Sequence, residues 1–254
     1  MSGDPRAATG FGRGADAYER GRPSSYPADA IDTVVHGLGL TRASTVLDLA
    51  AGTGKLARVL VPLVGRVIAV EPSQAKLAQL REKVPDVEAR TGTAEAIPLE
   101  GDSVDAVFVG EAFHWFRVPR ACAEIARALK PSGSLVVAWQ RARWTEQRHS
   151  WLEAFDALVR PYRQTGQLYP AGYDDWKLHL EETGLFGPLT RTEADYDHDI
   201  SAHDFVALVE SWSWIANLPD ERRTNVLAAV RELLGEQREL TLCYRTAIYS
   251  TRLA

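Results

Sequence analysis

The chain has 254 residues, of which 45% are hydrophobic and 25% charged, enough to bury one large core. Its net charge of −5 leaves no basic footprint for nucleic acid or an anionic membrane, and its two cysteines, Cys122 and Cys243, offer neither a disulfide framework nor metal-ligand spacing. The most apolar stretch, 59–70, is interrupted by Pro62, Gly65 and Arg66, and Met1–Gly14 has no apolar signal segment, so the expected location is the cytoplasm.

Residues 1–15 are rich in Gly, Arg and Ala and read as a mobile start. Ala15–Pro27 then mixes Tyr18, Arg20, Arg22, Pro23 and Tyr26, which suits either a lid over a ligand or an arm packed on the surface. Ile31, Val34, Val35 and Leu38 give Ala28–Leu40 the spacing of an amphipathic helix, ended by glycines.

Thr45–Lys55 reads T-V-L-D-L-A-A-G-T-G-K. Val46, Leu47 and Leu49 suit a buried parallel strand, and Leu56, Val59, Leu60 and Leu63 follow at helical spacing. Strand, small-residue loop and helix make the first half of a nucleotide-binding βαβ unit, in which glycines let backbone approach a ligand. Asp48 stands where a pyrophosphate-binding loop has little use for a carboxylate. A ligand with an ammonium group does have a use for it, which points to S-adenosylmethionine (SAM). A nicotinamide enzyme would want G-x-G-x-x-G, whereas this loop reads A-x-G-x-G.

Arg66–Ser73 is a second strand closing on Glu71, placed to take the hydroxyls of a ribose, or to be a plain strand end beside a helix capped by Ser73. A helix over Ala75–Val84 and a short strand over Val87–Arg90 follow. The turn-rich stretch 91–98 comes next, where an adenine can lie against Ala94. Asp105–Gly110 is a strongly apolar fourth strand that empties into E-A-F-H-W-F at 111–116. A helix over Val118–Lys130, a stop at Pro131-Ser132-Gly133 and a fifth strand over Ser134–Trp139 complete a series that predicts a parallel sheet with helices on both faces.

Arg141–Phe186 reads as an aromatic-rich, broken-helical insertion that caps the sheet. Pro188–Asp197 is a candidate sixth strand, Ser201–Leu218 a helix opened by Ser201 and Asp204, and Pro219–Leu234 another helix. Thr241–Leu253 is rich in β-formers and, with no helix after it, is expected to pair antiparallel.

The motifs L-D-L-A-A-G-T-G-K (47–55), V-I-A-V-E-P-S (67–73), G-T-A-E-A-I-P (92–98), E-A-F-H-W-F (111–116) and A-L-K-P-S-G-S-L (128–135), in this order and spacing, make the sequence resemble class I SAM-dependent methyltransferases over nearly its whole length. Within that superfamily it looks most like the trans-aconitate-methyltransferase-like group of small-molecule enzymes. The resemblance implies an α/β, Rossmann-like fold: a seven-stranded, mostly parallel sheet with a reversed last strand and a helical cap. It implies one domain: an N-terminal arm and helix (1–40), a SAM-binding core (41–140), a cap (141–187 and 200–238) and the last strands (188–199 and 239–254).

The resemblance also implies roles. Asp48 and the backbone near Ala50 and Gly52 would hold the methionine end of SAM, Glu71 the ribose, and Thr93, Ala94 and Glu95 the adenine. Tyr18, Thr53, Gly54 and Pro72 complete the expected cofactor set, and the backbone near Glu111 would meet the methionine ammonium. The family often carries Gly at position 50 and Gln or Asn at 111, so Glu111 is the notable departure.

A carboxylate acceptor needs only cationic positioning, for which Arg22 and Arg117 are candidates. A phenol, an amine or an acidic carbon must lose a proton, which His114 or Glu111 is placed to take. Arg22, Tyr26, His114, Trp115 and Trp144 are the expected acceptor-binding residues, with His114 also readable as an orienting group and Trp115 as packing or a cation–π wall. The other aromatics between 144 and 176, with Trp212 and Trp214, suit a pocket or a core. Asp197-His198-Asp199 with His203-Asp204 reads as solvated acids at a strand end and helix start rather than a metal site. Arg141-Ala142-Arg143 with Arg148 reads as a solvated basic face. The expected partner is a small-molecule acceptor. A nucleic-acid methylase would carry an N-P-P-Y-like motif after the fourth strand, and a SAM-binding scaffold without turnover is the remaining alternative.

Overall fold

The computed structural model describes residues 26–143, 150–162 and 175–254. Helix α1 (Ala28–Gly37) precedes β1 (Thr45–Leu49), α2 (Lys55–Leu60), β2 (Arg66–Val70), α3 (Gln74–Lys83), β3 (Glu88–Arg90) and β4 (Val104–Gly110). A 3-10 turn at Phe113–Trp115 leads to α4 (Val118–Ala128) and β5 (Leu129–Ala142). Then come α5 (Ser150–Val159), α6 (Trp176–Glu182), β6 (Thr190–Ser201), α7 (Ala202–Glu210), α8 (Ser213–Ala216), α9 (Asp220–Leu234) and β7 (Glu239–Arg252). The strands form one seven-stranded sheet in the order β3-β2-β1-β4-β5-β7-β6. β7 runs antiparallel to both its neighbours, while the β1–β2, β1–β4, β2–β3 and β4–β5 pairs are parallel, so the reversed last strand and the Rossmann-like sheet are as expected.

Strand alternation sorts the core into two layers. Leu47, Leu49, Val107, Val109, Val137, Trp139 and Tyr249 face α4 and α6. Val46, Val67, Ala106, Phe108, Val136 and Ile248 face α1, α2 and α3. Strand order reverses between β1 and β4, and in such sheets the crevice at the strands' carboxyl ends is where ligands sit.

The structure departs from the sequence reading in four places. β5 begins at Leu129, because Pro131-Ser132-Gly133 is absorbed as a register shift, with Ser132 at φ 64°, between the Val104–Leu129 and Ala106–Ser134 pairs. β6 runs on to Ser201, past the expected Asp197. The expected long helix from Ser201 ends at Glu210 and resumes as the short α8, although Ser201 Oγ does cap it by accepting from the Asp204 N–H at 3.0 Å. The aromatics of the presumed cap divide between two cores. Trp176 is buried against Phe113, Trp139 and Tyr249, whereas Phe155, Phe205 and Trp212 pack in a third core under the β6–β7 hairpin.

Gly65, in the turn into β2, lies so close to the preceding connection that a Cβ there would come within 2.1 Å of the Arg42 carbonyl oxygen. Backbone cannot yield as a side chain does, and overpacking costs about 1–3 kcal/mol. Gly65→Ala is therefore expected to lower the melting temperature, followed by circular dichroism, by roughly 2–12 °C for a chain of this size.

Candidate active site

The loop after β1 places three residues at positive φ: Ala50 (59°), Gly52 (60°) and Gly54 (85°). Ala50 takes a conformation that glycine adopts without cost, so the local strain falls on the one residue of the three that is not glycine. A Cβ on Gly54 would press on Val84 at 3.0 Å and Leu80 at 3.1 Å, whereas one on Gly52 would meet nothing within 4 Å. Gly54 therefore serves packing, and Gly52 borders open space at the strand ends.

Two buried carboxylates brace this loop. Asp48 Oδ2 accepts the Ala57 N–H of α2 at 2.9 Å. Glu71 Oε2 accepts the Gly52 N–H at 2.9 Å, and its Oε1 accepts the Ser73 N–H at 3.0 Å. Burial pushes the Asp48 carboxyl up to about 7, with the Ala57 N–H opposing and the Glu71 charge adding to the rise. Thr53 is buried and Pro72 exposed. An acid-rich, backbone-lined cradle bordered by open space fits a ligand that carries an ammonium group and a ribose.

Beyond β3, Ala94 is buried and Thr93 forms an isolated bridge with Ala96. Glu95 accepts the Arg117 N–H at 2.9 Å, with the Arg117 guanidinium 4.0 Å away, tying the loop to the start of α4. Arg117, expected as a carboxylate-binding cation, thus lies on the β3 side.

At the end of β4 a Cβ on Gly110 would come within 2.3 Å of the Tyr26 hydroxyl and 3.3 Å of Leu56, so Tyr26 is packed over the strand end. Glu111 adopts φ 55°. Its N–H donates to Ala138 O at 3.0 Å, and its Oε1 accepts the Gln140 N–H, joining the ends of β4 and β5. The His114 ring lies 4.7 Å from Trp115 and 5.3 Å from Trp139, on the α4 and α6 side of the sheet; Trp115 is 43% exposed. His114 thus stands among aromatics on the α4 and α6 side, while the Glu111 carboxylate is held at the sheet's edge by the Gln140 backbone. Tyr18, Arg22 and Trp144 lie outside the described residues.

The sequence reading missed the contribution of β6. Because β6 continues past 197, Asp195, Asp197 and Asp199 point one way, while Tyr196, His198 and Ile200 point to the other face, where Tyr196 and Ile200 pack in the third core. Asp195 pairs with Arg143 and Arg245, and Asp197 accepts from the Cys243 thiol. The period-two alternation in Tyr196–Ile200 was the available signal.

The family model described as a methyltransferase domain matches residues 47–137. An uncharacterized methyltransferase of Mycobacterium tuberculosis is 37% identical over 225 residues, covering 89% of this chain and 85% of that one. The fold is shared with a proposed type II methyltransferase from Anaeromyxobacter dehalogenans (TM-score 0.66, 23% identity, 91% of this chain and 97% of that one). It is shared too with Haemonchus contortus phosphoethanolamine N-methyltransferase 2, a structure holding S-adenosylhomocysteine (TM-score 0.56, 17% identity, 100% of this chain and 60% of that one). The chain belongs to the class I SAM-dependent methyltransferases. It is an enzyme, its cofactor is SAM, and the nicotinamide and scaffold readings fall away. No helix among the described residues is long and apolar enough to cross a membrane.

The raised Asp48 carboxyl has a thermodynamic consequence. Its ordinary value is 3.8, and the folded state holds the proton until about pH 7. The associated stabilisation is thus complete below pH 4 and lost as pH rises to 7, a span worth about 4 kcal/mol at 1.36 kcal/mol per pH unit. Asp48→Asn retains an oxygen for the Ala57 N–H and cannot ionise. Its melting temperature relative to the parent is expected to rise by several degrees between pH 4.5 and pH 8 (measured by calorimetry), while SAM affinity falls.

Proposed function

We propose that this methyltransferase acts on a small organic acceptor whose nucleophile is a hydroxyl oxygen, seated over the ends of β4, β5 and β7. The observation that carries this reading is the chemistry of that edge. It offers the Glu111 carboxylate, the Tyr196 phenol, the His198 imidazole and the Thr246 hydroxyl, while Arg117 is engaged by Glu95 and Arg143 and Arg245 by Asp195. A carboxylate acceptor would call for a guanidinium on the face of Tyr196 and Thr246, where the described β5–β7–β6 rows around them carry none, and a nucleic acid for a basic face.

In this reading Asp48 and the Ala50–Gly54 backbone hold the methionine end of SAM. Glu71 meets the ribose, and Thr93, Ala94 and Glu95 flank the adenine. SAM supplies a methyl group on a sulfonium: the acceptor oxygen's electron pair makes the new O–C bond, and the S–C pair returns to sulfur. The protein's work is alignment, exclusion of water and removal of the hydroxyl proton. Glu111, fixed through Gln140, is placed on the acceptor side of the edge to take that proton. His114, between Trp115 and Trp139, lines the other side and orients.

Isothermal calorimetry with SAM tests the cofactor assignment. Gly52→Val fills the open space above the loop and Glu71→Ala releases the Gly52 N–H. Each is expected to weaken SAM binding by at least about tenfold, equivalent to one lost charge-assisted hydrogen bond. Unchanged affinity in both would place the cofactor elsewhere. Glu111→Gln and His114→Ala are expected to bind SAM as the parent does and to release S-adenosylhomocysteine more slowly when hydroxylated acceptors are supplied, with the larger loss at Glu111.

A further inference from the structure

Three side-chain atoms on one face of the β5–β7–β6 edge, where the α1 and α2 layer gives way to the third core, are buried with no hydrogen-bond partner: Tyr196 Oη, His198 Nε2 and Thr246 Oγ1. They are neighbours by register. Thr246 pairs with Gln140, whose N–H is taken by Glu111, and on its other side with Ala194. Tyr196 pairs with Tyr244, two positions along β7 from Thr246, and the two phenol rings stack with centroids 5.7 Å apart. The His198 ring stands edge-on to Tyr244 at 6.1 Å. Thr246 is fully buried.

Buried polar groups in folded proteins are nearly always satisfied, so three orphans on successive same-face rows of one hairpin, with Tyr196 in the middle row, are a stability cost that calls for an explanation. Their position supplies one. The Glu111 charge acts on Tyr196, and the charge of Lys55, the first residue of α2 after the glycine loop, acts on His198. By register the cluster reaches from the β6–β7 hairpin to Gln140, where Glu111 joins the ends of β4 and β5. Burial first, and then Lys55, hold the imidazole below its ordinary range, with Asp199 opposing; burial, Tyr244 and Glu111 keep the phenol protonated. The orphans are thus neutral groups that both donate and accept.

We propose that Tyr196, His198 and Thr246 form the acceptor-binding surface, and that the acceptor is a neutral hydroxylated ring compound of the phenol class. The ring would lie against the Tyr196–Tyr244 pair, and its oxygens would complete the hydrogen bonds that the three side chains lack. The neighbouring Glu111 carboxylate disfavours an anionic ligand. This assignment rests on the proposed transfer to a hydroxyl oxygen.

The test uses the full chain with S-adenosylhomocysteine, and thermal shift in the presence of catechol, resorcinol or phenol, against malonate and trans-aconitate. Parent and the variants Tyr196→Phe, His198→Gln and Thr246→Val are compared, with methyl transfer from SAM to the same compounds as a second readout. The parent is expected to be stabilised by at least one phenol and by neither carboxylate. Each variant is expected to weaken that response about tenfold, the loss of one hydrogen bond, while its response to S-adenosylhomocysteine stays as in the parent. Without ligand, Tyr196→Phe and Thr246→Val are expected to melt no lower than the parent, since each deletes an unmade hydrogen bond. A parent that answers to carboxylates alone, or to none of the compounds, overturns the proposal. So do variants that keep the phenol response, or that melt several degrees lower because the polar atoms serve the fold. Loss of the S-adenosylhomocysteine response in the parent would instead strike the cofactor reading, a separate result.

Discussion

The loop after β1 depends on one constraint: its turn at positive φ and the helix start that follows leave backbone N–H groups that carboxylates from two strands take up. Glu71 reaches from the end of β2 to the Gly52 N–H, and Asp48 from within β1 to the Ala57 N–H. Charge-assisted hydrogen bonds to backbone are strong, but only where the carboxylate stays ionised. Burial works against this at Asp48, and the nearby Glu71 charge adds to the difficulty. Burial therefore keeps the Asp48 carboxyl protonated well above the ordinary carboxylate range, and in the proposed reading a ligand's ammonium group would favour its ionised form.

The same economy governs the far end of the sheet. A reversed β7 sets β6 parallel to β5 but one strand removed, and residues 197–201 of β6 with 239–243 of β7 extend beyond the last paired row of β5. That overhang needs a core of its own, which α5, α7 and α9 provide with Leu152, Phe155, Phe205, Val209, Val230 and Leu242. The hairpin is thereby anchored on both sides of the Tyr196–Tyr244 pair, so polar groups on it have fixed directions.

Much of this was legible in the sequence. The apolar strands, the loop and the paired acids Asp48 and Glu71 follow from periodicity and motif order, because local sequence alone determines a buried strand and a glycine turn. What was not legible depended on register. Asp197-His198-Asp199 looks like one polar cluster when strand and helix meet there. Two more strand-paired residues on either side of it turn the aspartates outward and the histidine inward. The period-two alternation is the one local hint of a longer strand, and the register itself is set by the pairing partner, residues 239–252, some forty residues later. The aromatic stretch was opaque for a similar reason: Trp176 and Phe155 have comparable local patterns and enter different cores.

Ala50 and Glu111 show how far local rules were broken on purpose. Both hold left-handed backbone at the carboxyl ends of adjacent strands, β1 and β4, where Gly or Asn would be less strained. At position 50 the side chain is a methyl, so the strain yields little beyond a packed loop. At 111 the side chain is a carboxylate that accepts a β5 backbone N–H and places its charge beside Tyr196. Left-handed backbone alone marks no site, since Asp102 and Ser132 adopt it too, and Gln79 and Trp176 also bury a polar atom without a hydrogen bond. What sets position 111 apart is that its strained backbone carries a carboxylate that ties the end of β4 to β5 at Gln140, the residue paired with Thr246 of β7.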